Sequence, residues 1–204
     1  MKTINEIEFT RKKILRQSSV RETWLSFSPL HNSKCISESK LELDFFFSKL
    51  FDKGLLDILS QPETFKKIRY TPDFYLRYID RIIFIEVKYF KDTQTDDFKA
   101  KTEIRKTFFE ELGAEYEVVT ERTIRSSNLP MNSRLLIAGL KHPKPIVEFE
   151  KIKAMIPDCS LTISELTQLL VMKKFKPCFI RRALAHSVIS ADLKPRWSEI
   201  IINW

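Results

Sequence analysis

The sequence predicts an α/β domain followed by a smaller, basic helical domain. Two observations carry this. Residues 55–120 set runs of β-branched and aromatic residues around one long segment of helical spacing, so strands, a helix and a further strand are expected. The segment RSSNLPMNSR, residues 125–134, then concentrates Ser, Asn and Pro, and three stretches of helical periodicity follow it. The expected division is residues 1–125 and 126–204.

In chain order, residues 2–27 read as a basic helix in which Arg11, Lys12, Lys13, Arg16 and Arg21 interleave with Ile7, Ile14 and Leu15. It suits a DNA-facing arm or a solvated helix equally. From Ser37, Leu43, Phe46, Phe47 and Leu50 recur at i, i+3, i+4 and i+7, which predicts an amphipathic helix stopped near Gly54. Residues 55–59, 64–70, 73–79 and 81–88 carry strand composition. Phe98, Ile104, Phe108 and Leu112 return to helical spacing, Gly113 closes that helix, and residues 116–120 (YEVVT) read as another strand. Beyond the boundary, residues 147–155 and 164–173 are helical, and Pro177 opens a third helix running to His186. Two short apolar runs, residues 188–193 and 199–204, suggest a terminal β-ribbon. Three helices and a ribbon are the ingredients of a winged helix; a plain helical cap on the first domain fits the same pattern.

Composition narrows the function. With 204 residues, 43% hydrophobic and 30% charged, the chain has material for one sizeable domain or two small ones. The first thirty residues hold no apolar leader and no run of about 18 apolar residues occurs, so the expectation is a cytoplasmic protein without a membrane span. Cys35, Cys159 and Cys178 are odd in number and widely spaced, as are His31, His142 and His186. That suits reduced, packed thiols better than disulfides or a zinc site. The formal charge of +8 points to a polyanionic partner, usually nucleic acid, although a solvated basic surface would also account for it. Residues 126–204 hold 12 Lys and Arg against 6 Asp and Glu, so most of the excess lies there. Only three glycines are present, which leaves no Gly-rich phosphate loop.

The stretch YTPDFYLRYIDRIIFIEVK, residues 70–88, places Asp73, Glu86 and Lys88 in strands that otherwise read as core. A two-residue turn at Asp80 and Arg81 would set Asp73 opposite Lys88 and Tyr75 opposite Glu86. Side chains alternate across a sheet, so Phe74, Leu76, Tyr78, Ile83, Ile85 and Val87 would face the core. Asp73, Glu86 and Lys88 would gather on the other face at one end, with Tyr75, Arg77, Ile82 and Phe84 beyond them; an odd-numbered turn would scatter the set. Two close carboxylates repel unless a cation sits between them. A hard divalent ion such as Mg²⁺ would balance them and could activate water against a phosphodiester, with the adjacent lysine orienting the nucleophile. Glu42, one turn before Phe45 and Phe46 at the edge of the amphipathic helix, is a third acid within range. A cross-strand salt-bridge cluster explains the same spacing without any metal.

Pro72-Asp73 followed by Glu86-Val87-Lys88 matches the PD-(D/E)xK signature of restriction-endonuclease-like nucleases. Together with SKLELDFF, residues 39–46, Gln61-Pro62, YTPDF, IEVK and EYEVVTERTIR, residues 115–125, the pattern resembles TnsA, the endonuclease subunit of heteromeric cut-and-paste transposases. More loosely, ALAHSVISADL, residues 183–193, resembles the end of that family's winged-helix domain. The resemblance implies a mixed sheet flanked by helices, Mg²⁺-dependent cleavage near the 5′ ends of a mobile element, with Mn²⁺ able to substitute, and double-stranded DNA as substrate. It implies a DDE-type recombinase partner, TnsB, and an ATPase regulator, TnsC, contacted by the C-terminal domain. Carried over by motif position, Glu42, Asp73, Glu86 and Lys88 are catalytic, with Glu42, Asp73, Glu86 and the Val87 carbonyl on the metal. A solitary restriction or repair nuclease and a catalytically lapsed DNA-binding adaptor are the alternatives.

Overall fold

LSFS, after Trp24, alternates apolar and small residues with a period of two, and the stretch is a strand. β1 (Trp24–Ser28) pairs antiparallel with β2 (Ser33–Ser37), so the expected helix does not extend through residues 24–27. The computed structural model describes residues 23–156 and 160–203, so the rest of that basic segment, and Cys159, lie outside the described residues. The chain divides into two units between Ser126 and Ser127.

In the first unit, Ser39 starts α1 (Lys40–Lys49). Its backbone is extended, and its side-chain oxygen accepts the Glu42 N–H at 3.1 Å, satisfying one amide that the helix start would leave unpaired. Leu43, Phe46, Phe47 and Leu50 are buried as the spacing predicts, and so are Leu41 and Phe45. The helix is therefore enclosed on most sides. Gly54, at φ 80°, turns the chain into β3 (Leu55–Ser60) rather than ending the helix, which stops at Lys49.

Four strands make one mixed sheet in the order β3, β4 (Phe74–Tyr78), β5 (Ile82–Lys88), β6 (Glu115–Thr120). The first two pairings are antiparallel; β5 and β6 are parallel and joined through α2 (Asp96–Glu111). The β4–β5 turn sits one residue earlier than expected. Tyr78 donates its N–H to the Arg81 carbonyl at 2.8 Å, leaving Ile79 and Asp80 as the loop. Phe74 then pairs with Ile85 and Tyr75 with Phe84, a shift of two residues from the expected register. A shift of two preserves side-chain parity, so the predicted faces survive.

One of those faces differs in character from the expectation. Phe74, Leu76, Ile83 and Ile85 pack beneath α1, where the Phe45 and Phe74 rings lie 4.9 Å apart. The opposite face is core as well. Tyr75, Ile82 and Phe84 are buried there beneath α2, whose Phe109 stacks on Phe84 at 4.3 Å and on Tyr116 at 5.6 Å. Residues 64–70, expected as a strand, supply part of that cover instead. They form a 3₁₀ turn (Lys66–Ile68) with Arg69 at φ 48° and a bridge between Phe65 and Tyr70. Their aromatics were recruited by α2: the Phe65 ring lies 4.9 Å from Phe109. After β6 comes the single turn α3 (Glu121–Ile124).

The second unit contains α4 (Leu129–Leu140), α5 (Ile146–Met155), α6 (Ile163–Met172) and α7 (Cys178–Ala185). The first of these occupies residues whose Ser and Asn content predicted a linker. Those polar groups have tertiary work: buried Asn132 donates to the Leu193 and Pro195 carbonyls at 2.7 and 2.8 Å. Gly139 lets α4 approach α7 closely, since a Cβ there would stand 2.7 Å from the Arg181 carbonyl oxygen. Cys178 is exposed rather than packed. Among the described residues, the two C-terminal apolar runs meet at a bridge between Ser190 and Asn203. Strand β8 (Ile201–Ile202) instead takes its ladder partner from β7 (Leu161–Thr162), just ahead of α6. Thr162 and Glu165 form a capping box there. No helix among the described residues is long and apolar enough to cross a membrane.

Candidate active site

Asp73 lies immediately ahead of β4 and is fastened by its own backbone. Its N–H donates to the Ile85 carbonyl at 2.9 Å, and its carbonyl accepts the Gln61 N–H at 2.8 Å. The side chain turns across to β5, where Oδ2 accepts the Val87 N–H at 2.7 Å. Continuing the pairing of Phe74 with Ile85 puts Asp73 beside Glu86, two residues short of Lys88, its expected partner.

Glu86 and Lys88 project from the same face of β5. Lys88 Nζ is 2.9 Å from Glu86 Oε1 and 3.7 Å from Asp73 Oδ2, so one ammonium spans both carboxylates. Just beyond Lys88, the Phe90 N–H donates to Glu121 Oε2 at 2.7 Å and holds the strand end in place. The structure thus brings together three of the four predicted catalytic residues. Glu86 is almost completely buried, and further groups reach it: the Tyr70 hydroxyl donates to Oε2, and Arg105 Nη1 lies 3.6 Å from Oε1. Neither Tyr70 nor Arg105 stands out in the sequence. The available signals are weak: Tyr70 adjoins Thr71-Pro72-Asp73, and Arg105 sits one helical turn before Phe109.

Glu42 is engaged differently. Its Oε2 accepts the Glu38 N–H at 2.9 Å and its Oε1 accepts the Ser39 hydroxyl at 2.8 Å, so its carboxylate closes the start of its own helix. Ser39-x-x-Glu42 is the spacing of a capping box, a signal readable from the sequence. Glu42 remains near enough to the other groups to act on them electrostatically.

The electrostatics record an excess of negative charge. Burial raises the Asp73 pKa, the charge of Glu86 raises it further and Glu42 adds to this, while Lys88 and the Val87 N–H oppose; the outcome is a value pushed up to about 7. Glu42 is also raised, chiefly by burial, with the Glu38 N–H and Ser39 hydroxyl counteracting. Burial pulls Lys88 down, but Asp73 and then Glu86 more than reverse this, and its pKa stands above the ordinary lysine value. Carboxylate oxygens carrying uncompensated negative charge are donor chemistry suited to a hard divalent cation. Among the described residues, no three His, Cys, Asp or Glu side chains converge on one metal-holding point, and Glu42 and Glu86 are engaged by protein partners.

Residues 52–121 match the family model described as TnsA-like endonuclease N terminal. That span contains Asp73, Glu86 and Lys88 and stops short of Glu42. The match supports a transposition-associated nuclease. No curated protein matches the chain.

Proposed function

From the premise that residues 52–121 form a TnsA-like endonuclease N-terminal domain, we propose that the chain is the Mg²⁺-dependent endonuclease subunit of a cut-and-paste transposase, acting in the cytoplasm and cleaving DNA at the 5′ ends of the element. The observation that carries this reading is the cluster of Asp73, Glu86 and Lys88 at one end of β5, inside the matched span. Asp73 is the central acid that would hold Mg²⁺ or Mn²⁺, with the Val87 carbonyl beside it and Glu42 once released from its helix start. When bound, the ion supplies charge neutralisation at the phosphate and a more acidic water. Lys88, oriented by Glu86, would contribute a fixed positive charge toward the scissile phosphate. Glu86 is least available to the metal because its oxygens are already engaged.

The second unit supports a winged-helix reading. After α4, a helix (α5), a short strand (β7), two further helices (α6 and α7) and two extended segments follow one another, with β8 lying between β7 and the bridge at Ser190. Lys173, Lys174 and Lys176 are exposed in the turn between α6 and α7, and they give the unit a basic surface for DNA or for an ATPase regulator. Reversing the three charges should weaken association with one of them.

The decisive experiment combines the chain with a candidate DDE-type recombinase and ATPase regulator, Mg²⁺ and end-containing DNA, and maps nicks on each strand. Cleavage confined to the 5′ ends, and lost in Asp73→Ala and Lys88→Ala, is expected. Efficient cutting by the chain alone would favour a solitary nuclease instead. Full cleavage by Asp73→Ala would sink the site assignment, and assembly on the ends without any cleavage would indicate an adaptor.

A further inference from the structure

Glu86 is held from three elements. Tyr70, in the turn before β4, donates its hydroxyl to Oε2; Lys88, on β5 itself, approaches Oε1 at 2.9 Å; Arg105, on α2, approaches the same oxygen at 3.6 Å. Arg105 is itself fixed. Its guanidinium lies over the Tyr70 ring, 3.8 Å from the centroid, and Nη1 lies 3.4 Å from the Tyr116 hydroxyl. Its side chain is 19% exposed and that of Glu86 6%, so this pair meets in a largely dry place. Phe109, one turn further along α2, is fully buried against Phe84 and Tyr116, which sets the height at which Arg105 meets the sheet.

Charge decides what this arrangement does. Without Arg105, the Lys88 ammonium would be the one cation among the described residues left to balance both Asp73 and Glu86 at the strand end, and a buried carboxylate short of a cation is costly. We propose that Arg105 is a positioning residue for strand cleavage: it neutralises Glu86, holding that carboxylate as a fixed anchor so that the Lys88 ammonium is left for Asp73 and the phosphate. Glu86 then acts through Lys88 rather than as a metal ligand. Asp73 differs in this respect, because its bonds to Val87 and Lys88 both fall on Oδ2. The inference rests on the nuclease reading and adds to it a residue on a different element.

The test is a double-mutant cycle in the full chain, with Arg105→Ala and Arg105→Lys each made in the unsubstituted and Glu86→Gln backgrounds. The first readout needs neither metal nor activity. Arg105→Ala should lower the urea midpoint and Arg105→Lys should lower it less. Most of the drop should vanish when Glu86→Gln has removed the charge that Arg105 serves. The second readout is Mg²⁺-dependent cleavage of end-containing DNA in the presence of the partner subunits. Arg105→Ala should reduce the rate about tenfold or more in the unsubstituted background and much less in the Glu86→Gln background. Equal losses in both backgrounds overturn the proposal, as does coupling in unfolding without coupling in cleavage, which would make Arg105 a structural residue only. If Arg105→Ala fails to fold, Arg105→Lys carries the same comparison. A chain that never cleaves overturns the nuclease reading itself, whereas uncoupled losses in a chain that does cleave overturn this inference alone.

Discussion

The carboxylate of Asp73 accepts the backbone N–H of Val87 at 2.7 Å, a side-chain bond that spans β4 and β5 at the end where the sheet gathers its ionisable groups. Burial, then the charge of Glu86 and the field of Glu42, make this acid hold its proton to unusually high pH, against the pull of Lys88 and of that bond.

This has a consequence for stability in the metal-free protein. The folded-state value of about 7 exceeds the ordinary 3.8, so the contribution of Asp73 is fully present below about pH 4 and is lost as pH rises through 7. Urea unfolding without divalent ions should show stability falling across that window, and Asp73→Asn should remove this part of the slope. An unchanged slope in Asp73→Asn would refute the assignment.

Phe109 is the keystone of the aromatic core under α2, fully buried and in ring contact with Phe65, Phe84 and Tyr116. Phe109→Ala is expected to cost about 3–5 kcal/mol, read from chemical denaturation, because the cavity would be lined by rigid rings that collapse poorly. A loss below about 1 kcal/mol would mean that the rings had repacked.

Ser39 closes the start of α1 through the Glu42 N–H and donates its hydroxyl to the Glu42 carboxylate. Ser39→Ala should destabilise the protein by about 1 kcal/mol, whereas Ser39→Thr, which keeps both the accepting oxygen and the donating hydroxyl, should restore most of the loss. Equal losses for both substitutions would count against the capping role.

At Gly139, α4 approaches α7 closely. Gly139→Ala would gain about 1 kcal/mol of helix propensity. It would also push a methyl against the Arg181 carbonyl oxygen, with Ala185 3.0 Å away, and backbone in a packed helix yields little. Overpacking of this kind costs about 1–3 kcal/mol, so the expected result is a net fall in thermal stability. A melting temperature at or above that of the unsubstituted chain would show that the helices can separate there.

The sequence by itself determined the elements whose periodicity is strong and local. Leu43, Phe46, Phe47 and Leu50 announced α1, Phe98 to Leu112 announced α2, and the alternating strands with Asp73, Glu86 and Lys88 announced the hairpin and its charged end. The parity of the hairpin survived an error in its turn, because moving a two-residue loop by one position shifts the register by two and leaves every side chain on its face. Tertiary structure decided what spacing cannot encode. It turned Phe65 and Tyr70 from an apparent strand into cover for α2, and it satisfied Asn132 inside a helix through loop carbonyls more than sixty positions away. It also drew Arg105 onto Glu86 from another element. In each case the partner is distant in the chain, so the energy that decides the outcome comes from burial and charge pairing between residues that no local window contains together.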